Sequence, residues 1–273
     1  MGHDAQRRAG SLDRGLALLD YLATAREATV AELAEATGLT RSTTYRLVDR
    51  LRGAGYLDNV SGSGRWRLGP STARLAMAAV QSTDVVHAAP ELVRLLVQQT
   101  RETVGVSVYS NGEMIFVYRE RGPQAVTISA EPGARRPMYC TSVGKAYLAG
   151  LPPEEARTLL RSLELRAYTF NTTTSLTALE RQLDEIRRCG WAEDHQEFEP
   201  ASICCGAAIF DHTERPVGAI SIAGLAERVR SQVDRFGPIV AATAEIISRK
   251  LGYIPEAGTR YQDVRKYLDS LSQ

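Results

Sequence analysis

Between Thr29 and Leu57 the apolar residues fall at helical spacing in two short runs separated by one glycine. In the first run Val30, Leu33 and Ala34 share a face behind Thr29, whose hydroxyl is placed to cap a helix. Gly38 stands where that helix must stop and reverse, because glycine enters the left-handed region at little cost. Thr40 opens the second run, with Thr44, Leu47, Val48 and Leu51 inward and Ser42, Thr43, Tyr45, Arg46 and Arg50 outward. Upstream, Ser11 is placed to cap a helix over residues 12–25 with Leu16, Leu19 and Leu22 on its core face. Downstream, Tyr56 and Leu57 start an extended run, residues 59–64 (NVSGSG) read as a turn, and residues 65–68 (RWRL) return as a strand with Arg65 and Arg67 on one face. Helix, glycine turn, basic helix and basic hairpin in this order predict a winged helix-turn-helix. The competing reading is an ordinary helical hairpin and β-hairpin with solvated arginines.

Pro70 opens an alanine-rich stretch, residues 70–82, with Leu75, Met77 and Val80, which predicts a linker helix. From Pro90 the period changes. A helix is expected over residues 91–102, then strands over 104–110 and 114–119 around the turn pair Asn111-Gly112, and a strand over 126–130. Helices over 141–150, 153–162 and 176–189, strands over 204–210 and 217–223, and a closing helix over 236–251 complete an α+β pattern. The division is a polar arm (1–10), a winged helix-turn-helix (11–69), a linker helix (70–87), a sensor domain (88–252) and a tail (253–273).

With 44% hydrophobic and 24% charged residues and a net charge of +1, the chain is ordinary globular material. Residues 1–80 hold 11 arginines and no lysine against 8 acidic residues, and four of those arginines lie between residues 40 and 54. Positive charge is thus concentrated on the expected reading helix, as phosphate contact requires. No apolar leader segment and no membrane-spanning run is present, and Cys140, Cys189, Cys204 and Cys205 lack metal-site spacing. A cytoplasmic protein with free thiols, no metal and no cofactor is expected.

Three segments of the second domain carry candidate chemistry. At residues 139–149 (YCTSVGKAYLA) a strand passes into a helix capped by Thr141 or Ser142, leaving the amides of Ser142, Val143 and Gly144 to face an anion. The alternative is a plain capped helix with a packing glycine. The acidic stretch Glu193-Asp194-His195-Gln196-Glu197 is either a solvated loop or a pocket edge. Cys204 and Cys205 point to opposite faces of a strand, suiting packing or pocket lining better than redox chemistry. No nucleophile–base spacing supports catalysis.

In residues 39–57 (LTRSTTYRLVDRL…AGYL), 66–76 (WRLGPSTARLA), 137–149 (PMYCTSVGKAYLA), 191–211 (WAEDHQEF…CCGAAIFD) and 219–224 (AISIAG), the chain resembles the isocitrate-lyase-regulator (IclR) family of bacterial transcription factors. The resemblance implies an N-terminal winged helix, a linker helix and a GAF/PAS-like effector-binding domain. It implies palindromic operator DNA, self-association as a dimer or dimer of dimers, and RNA polymerase as a further partner. Ser42, Thr43, Tyr45 and Arg46 are then expected in the major groove, and Arg41, Arg50, Arg65 and Arg67 on phosphates. In relatives that sense small carboxylates, ligand contacts match Ser142, Val143, Asp194 and Cys204 here, and Gly144 belongs to the same helix start. The chain departs from the family pattern at Ala201, where glycine is usual, and at Cys205 and Ala208. A small organic or aromatic acid is the expected effector, with Tyr139 and Met138 either shaping its pocket or filling the core. The alternative is a GAF-type thiol redox sensor or enzyme using Cys204 and Cys205.

Overall fold

The computed structural model describes residues 10–81, 84–124 and 131–254, and the chain divides into two compact units that meet in sequence at Ser82 and Thr83. In the first unit, helix α1 (Ser11–Ala25) is followed by strand β1 (Glu27–Thr29), helices α2 (Val30–Thr37) and α3 (Arg41–Gly53), strands β2 (Leu57–Val60) and β3 (Arg65–Leu68), and helix α4 (Pro70–Gln81). Leu18 and Leu22 of α1, Leu33 of α2, Val48 of α3 and Leu57 of β2 fill one core closed by Trp66.

Several details differ from the sequence reading. Ser11 lies inside α1: the helix is capped at Gly10, whose N–H donates to the Asp13 carboxylate at 2.7 Å. Leu18 replaces Leu16 on the buried face, and Leu16 is 51% exposed. The leucine-rich pattern of α1 fits more than one helical phase, and contact with α2 and α3 selects the phase of Leu18 and Leu22. Asn59 and Val60 belong to β2 rather than to the turn, and β1, which the sequence does not announce, pairs with β3 to make a three-stranded sheet.

The second unit opens with a short helix α5 (Asp84–Ala88), so the described helical stretch from Pro70 ends at Gln81. Next come α6 (Pro90–Thr100), β4 (Thr103–Ser110), β5 (Glu113–Glu120), β6 (Arg135–Pro137), α7 (Ser142–Gly150), α8 (Pro153–Ser162) and α9 (Leu176–Cys189). Then β7 (Ala192–His195), β8 (Ser202–Phe210), β9 (Pro216–Leu225), the short α10 (Ala226–Val229) and α11 (Val233–Lys250) complete it. Six antiparallel strands form one sheet in the order β6-β5-β4-β9-β8-β7. One face packs on α6 and α11 through Val104, Ile203, Cys205, Ile220 and Ile222; the other packs on α7, α8 and α9 through Met114, Met138 and Leu148. The β4–β5 turn follows the expected pattern, with Asn111 and Gly112 both at positive φ. Strands β6 and β7 are additions to the sequence reading, and the strand expected over residues 126–130 lies outside the described residues.

Candidate functional site

In the first unit both helix caps are formed as their residues predict. Thr29 accepts from the Glu32 N–H while Glu32 accepts from the Thr29 N–H, and Thr40 accepts from the Thr43 N–H. Gly38 is left-handed at φ 66°. Thr44 is fully buried, its hydroxyl donating to the Thr40 carbonyl at 3.1 Å, so a polar residue serves the core of α3 at no hydrogen-bonding loss. Arg41, Ser42, Tyr45, Arg46 and Arg50 are exposed, Tyr45 at 57%, and Thr43 is half-buried beside its cap. Arg41, Arg46 and Arg50 make no ion pair among the described residues. The wing differs: Arg65 is paired to Glu27 at 2.9 Å and Glu32 at 3.2 Å, and Arg67 to Asp58 at 3.1 Å. The wing arginines therefore brace β1, β2 and α2, whereas those of α3 are presented outward.

In the second unit Ser142, Val143, Asp194 and Cys204 meet around one small cavity, joined there by Phe116, Arg136, Phe198, Glu199 and Ser221. The start of α7 forms one wall. Thr141 caps it by accepting from the Gly144 N–H at 3.2 Å, which leaves the Ser142 and Val143 amides as the open donors. The Gly144 N–H is thereby engaged by Thr141, and Gly144 does not line the cavity. It is the place where α7 rests on the chain, since a Cβ there would lie 2.3 Å from the Met138 carbonyl oxygen. Met138 and Tyr139 are core residues.

Opposite that wall, β7 pairs with β8 so that Asp194 faces Cys204. Of the two readings of the acidic stretch, the solvated loop does not hold: residues 192–195 form a strand whose Asp194 is only 3% exposed. Asp194 Oδ1 accepts from the Glu197 and Phe198 N–H groups, at 2.8 and 3.4 Å, while no donor among the described residues reaches Oδ2. Burial raises the Asp194 carboxyl to about 7, against the pull of those N–H donors and Lys145. The hydroxyls of Ser142 and Ser221, both buried, likewise have no partner among the described residues. Asp194, Ser142 and Ser221 thus give the cavity a polar lining.

The segment after β7 is held by two devices. Lys145, buried on α7, makes an ion pair of 2.5 Å with buried Glu197. A strap over residues 166–172 grips the same segment: Thr169 and Thr172 donate to the Gln196 and Glu197 carbonyls at 2.6 Å each, and Asn171 donates to the His195 carbonyl at 3.2 Å. Phe198 is thereby set on the cavity wall, edge-on to Tyr168. Arg136, from β6, lies over Phe198 and Phe116, 5.1 and 5.7 Å from their ring centres, with Glu199 at 3.7 Å. Sequence reasoning missed Arg136 and Ser221. A serine inside the apolar run of residues 219–224 was the available signal for Ser221; Arg136 had none, since an arginine pair before a proline is unremarkable.

The thiols are not poised for chemistry. Cys205 lies in the core on the α11 side, whereas Cys204 faces the cavity on the other. Burial pushes both thiols upward, Cys204 further under the influence of Asp194, and holds Cys140 at about 12. Among the described residues there is no cluster of metal-ligating side chains, and no helix is long and apolar enough to cross a membrane.

Comparison with known proteins matches this two-part layout. Residues 11–61 match the IclR helix-turn-helix domain, and residues 77–249 match the bacterial transcriptional regulator IclR C-terminal domain. The chain is 33% identical over 257 residues to the HTH-type transcriptional repressor AllR of Klebsiella pneumoniae, covering 93% of this chain and 94% of that protein. It is 32% identical over 246 residues to the transcriptional repressor IclR of Escherichia coli, covering 89% and 90%. The crystal structure of the Thermotoga maritima IclR superposes with a TM-score of 0.72 at 28% identity, covering 89% of this chain and 99% of that one. An IclR homologue from Microbacterium hydrocarbonoxydans, complexed with 4-hydroxybenzoate, shares the fold with a TM-score of 0.76 at 24% identity over 89% and 99% of the two chains. A winged helix with an outward basic helix, joined to a sheet domain with a polar cavity, thus belongs to a DNA-binding transcriptional regulator: the chain is a member of the IclR family.

Proposed function

We propose that this regulator binds a palindromic operator as a dimer or dimer of dimers and changes its hold on that DNA when a small organic acid enters the cavity of the second unit. The observation that carries the reading is the meeting of Ser142, Val143, Asp194 and Cys204 on one cavity, with open amides and with oxygens that no donor or acceptor among the described residues engages. The two amides at the start of α7 offer directed donors and a favourable dipole for a carboxylate. A protein of the same fold is complexed with 4-hydroxybenzoate, so an aromatic acid is compatible with this architecture.

On the DNA side, the reading assigns Ser42, Thr43, Tyr45 and Arg46 to base edges, with Arg46 the principal contact, and Arg41 and Arg50 to phosphates; the exposure of all but half-buried Thr43 supports it. Arg65 and Arg67 are in position to reach the backbone only by exchanging their carboxylate partners. Genome-wide footprinting, followed by titration of the recovered site with and without a panel of carboxylic acids, tests both halves. A preferred site whose occupancy an acid alters is expected. Absence of any preferred site, or response only to cations or neutral sugars, overturns the reading.

A further inference from the structure

The charged lining of the cavity is set against an anion. Asp194 and Glu199 bring two carboxylates to it and Arg136 one guanidinium, which donates to the Arg135 carbonyl at 3.0 Å and lies 3.7 Å from Glu199. Lys145 does not line the space and is paired to Glu197. A ligand carboxylate beside an ionised, buried Asp194 would set two like charges together where they repel far more than in water. The geometry of Asp194 offers a way out. Oδ1 accepts from the Glu197 and Phe198 N–H groups, so a proton on this side chain belongs on Oδ2, which no donor among the described residues reaches. An Oδ2–H is then a third donor to the cavity, across from the open Ser142 and Val143 amides at the start of α7. The groups facing Asp194 are Lys145 of α7, Cys140 before it, Cys204 of β8, Arg136 of β6, and Glu197 and Glu199 of its own segment; burial keeps both thiols neutral. Glu193 and His195 alternate to the other face of β7 and pair with each other at 3.2 Å. Burial raises the Asp194 carboxyl to about 7, so its proton comes and goes near neutral pH.

We propose, resting on the organic-acid reading above, that Asp194 receives the effector as a carboxylic acid: its Oδ2–H donates to the ligand carboxylate, and binding draws one proton from solvent into the cavity. The proton stays on Asp194 and no bond of the ligand breaks. One negative charge enters with the ligand and one is cancelled on Asp194, so the net charge of the lining is the same before and after binding. The ligand class is thus a monocarboxylic acid, read together with a proton. Affinity is full below the Asp194 pKa and falls as the pH rises through it, by about tenfold between pH 6 and pH 8.

Calorimetric titration of the full-length protein tests this with 4-hydroxybenzoate, phenylacetate and lactate, each beside its uncharged amide. Runs in HEPES and in Tris at pH 8, whose ionisation enthalpies differ, count the protons taken up, and runs in MES at pH 6 give the pH slope. At least one acid binds saturably, about tenfold weaker at pH 8 than at pH 6, with about one proton taken up per acid at pH 8. Its amide shows neither effect. Asp194→Asn carries an N–H donor that needs no proton, so it shows no uptake and no slope, and at pH 8 it binds the acid about 3–10-fold tighter than the parent. Glu199→Gln keeps the uptake. Thermal melts establish that both variants fold. Saturable acid binding without proton uptake in the parent, or uptake that survives in Asp194→Asn, overturns the role of Asp194 and leaves the organic-acid reading standing. Binding of amides without acids, or no saturable binding at either pH, overturns both.

Discussion

Removing the ammonium from Lys145 is expected to unsettle the second unit more than any single change on its surface. Lys145 and Glu197 are both buried, 2.5 Å apart, and Glu197 Oε2 has no hydrogen-bond partner. Lys145→Met keeps the apolar stem but leaves the Glu197 carboxylate uncompensated, which costs about 3–5 kcal/mol in a buried pair. At roughly 2–4 °C per kcal/mol for a unit of this size, the melting temperature falls by about 6–20 °C. Adding Glu197→Gln removes the stranded charge and restores at least half of the loss, so the double variant is the more stable of the two. Trp191 is the only tryptophan of the second unit, and Trp66 the other in the chain. In a Trp66→Phe background, thermal and urea melts followed by fluorescence therefore report this unit. A single variant within about 1 kcal/mol of the parent, or a double variant no better than the single, refutes the reasoning that charge compensation holds the 196–198 segment to α7.

Other expectations follow from the same geometry. Gly144→Ala destabilises by about 3 kcal/mol or more, because the clashing Met138 atoms are backbone, whereas Gly15→Ala in α1, with nothing within 4 Å of the new Cβ, stabilises by about 0.5–1 kcal/mol; thermal melts separate the two. The Asp194 carboxyl, raised from 3.8 to about 7, holds its proton more tightly folded than unfolded. Its contribution to stability is therefore full below pH about 4 and lost as the pH rises to about 7, and Asp194→Asn flattens that slope in urea melts. Arg46→Ala lowers the affinity ratio between operator and scrambled DNA by about 1–3 kcal/mol in gel-shift titrations, and an unchanged ratio refutes its role as a base reader.

The first unit was largely legible because its signals are local. Thr29, Gly38 and Thr40 act within four residues of themselves, and capping chemistry does not depend on the rest of the fold. Leu16 misled because a leucine-rich helix offers competing faces and only its tertiary partners choose between them. In the second unit Ser142, Val143, Asp194 and Cys204 were found through the family pattern, and their convergence depends on β7 pairing with β8. Strand β7 was invisible because its charged residues lack the alternation of an exposed strand. Arg136 and Phe198 reach the cavity through the β5–β6 pairing and the strap, both non-local, so no spacing in the sequence signals them.

The strap over residues 166–172 holds its target through main-chain oxygens of His195, Gln196 and Glu197, taking nothing from their side chains. Such a clasp reads no side chain at positions 195–197, so the main-chain frame that carries Phe198 and Glu199 does not depend on their identity for these hydrogen bonds. A library confined to positions 198 and 199 would therefore vary the cavity wall while leaving the clasp's hydrogen bonds in place.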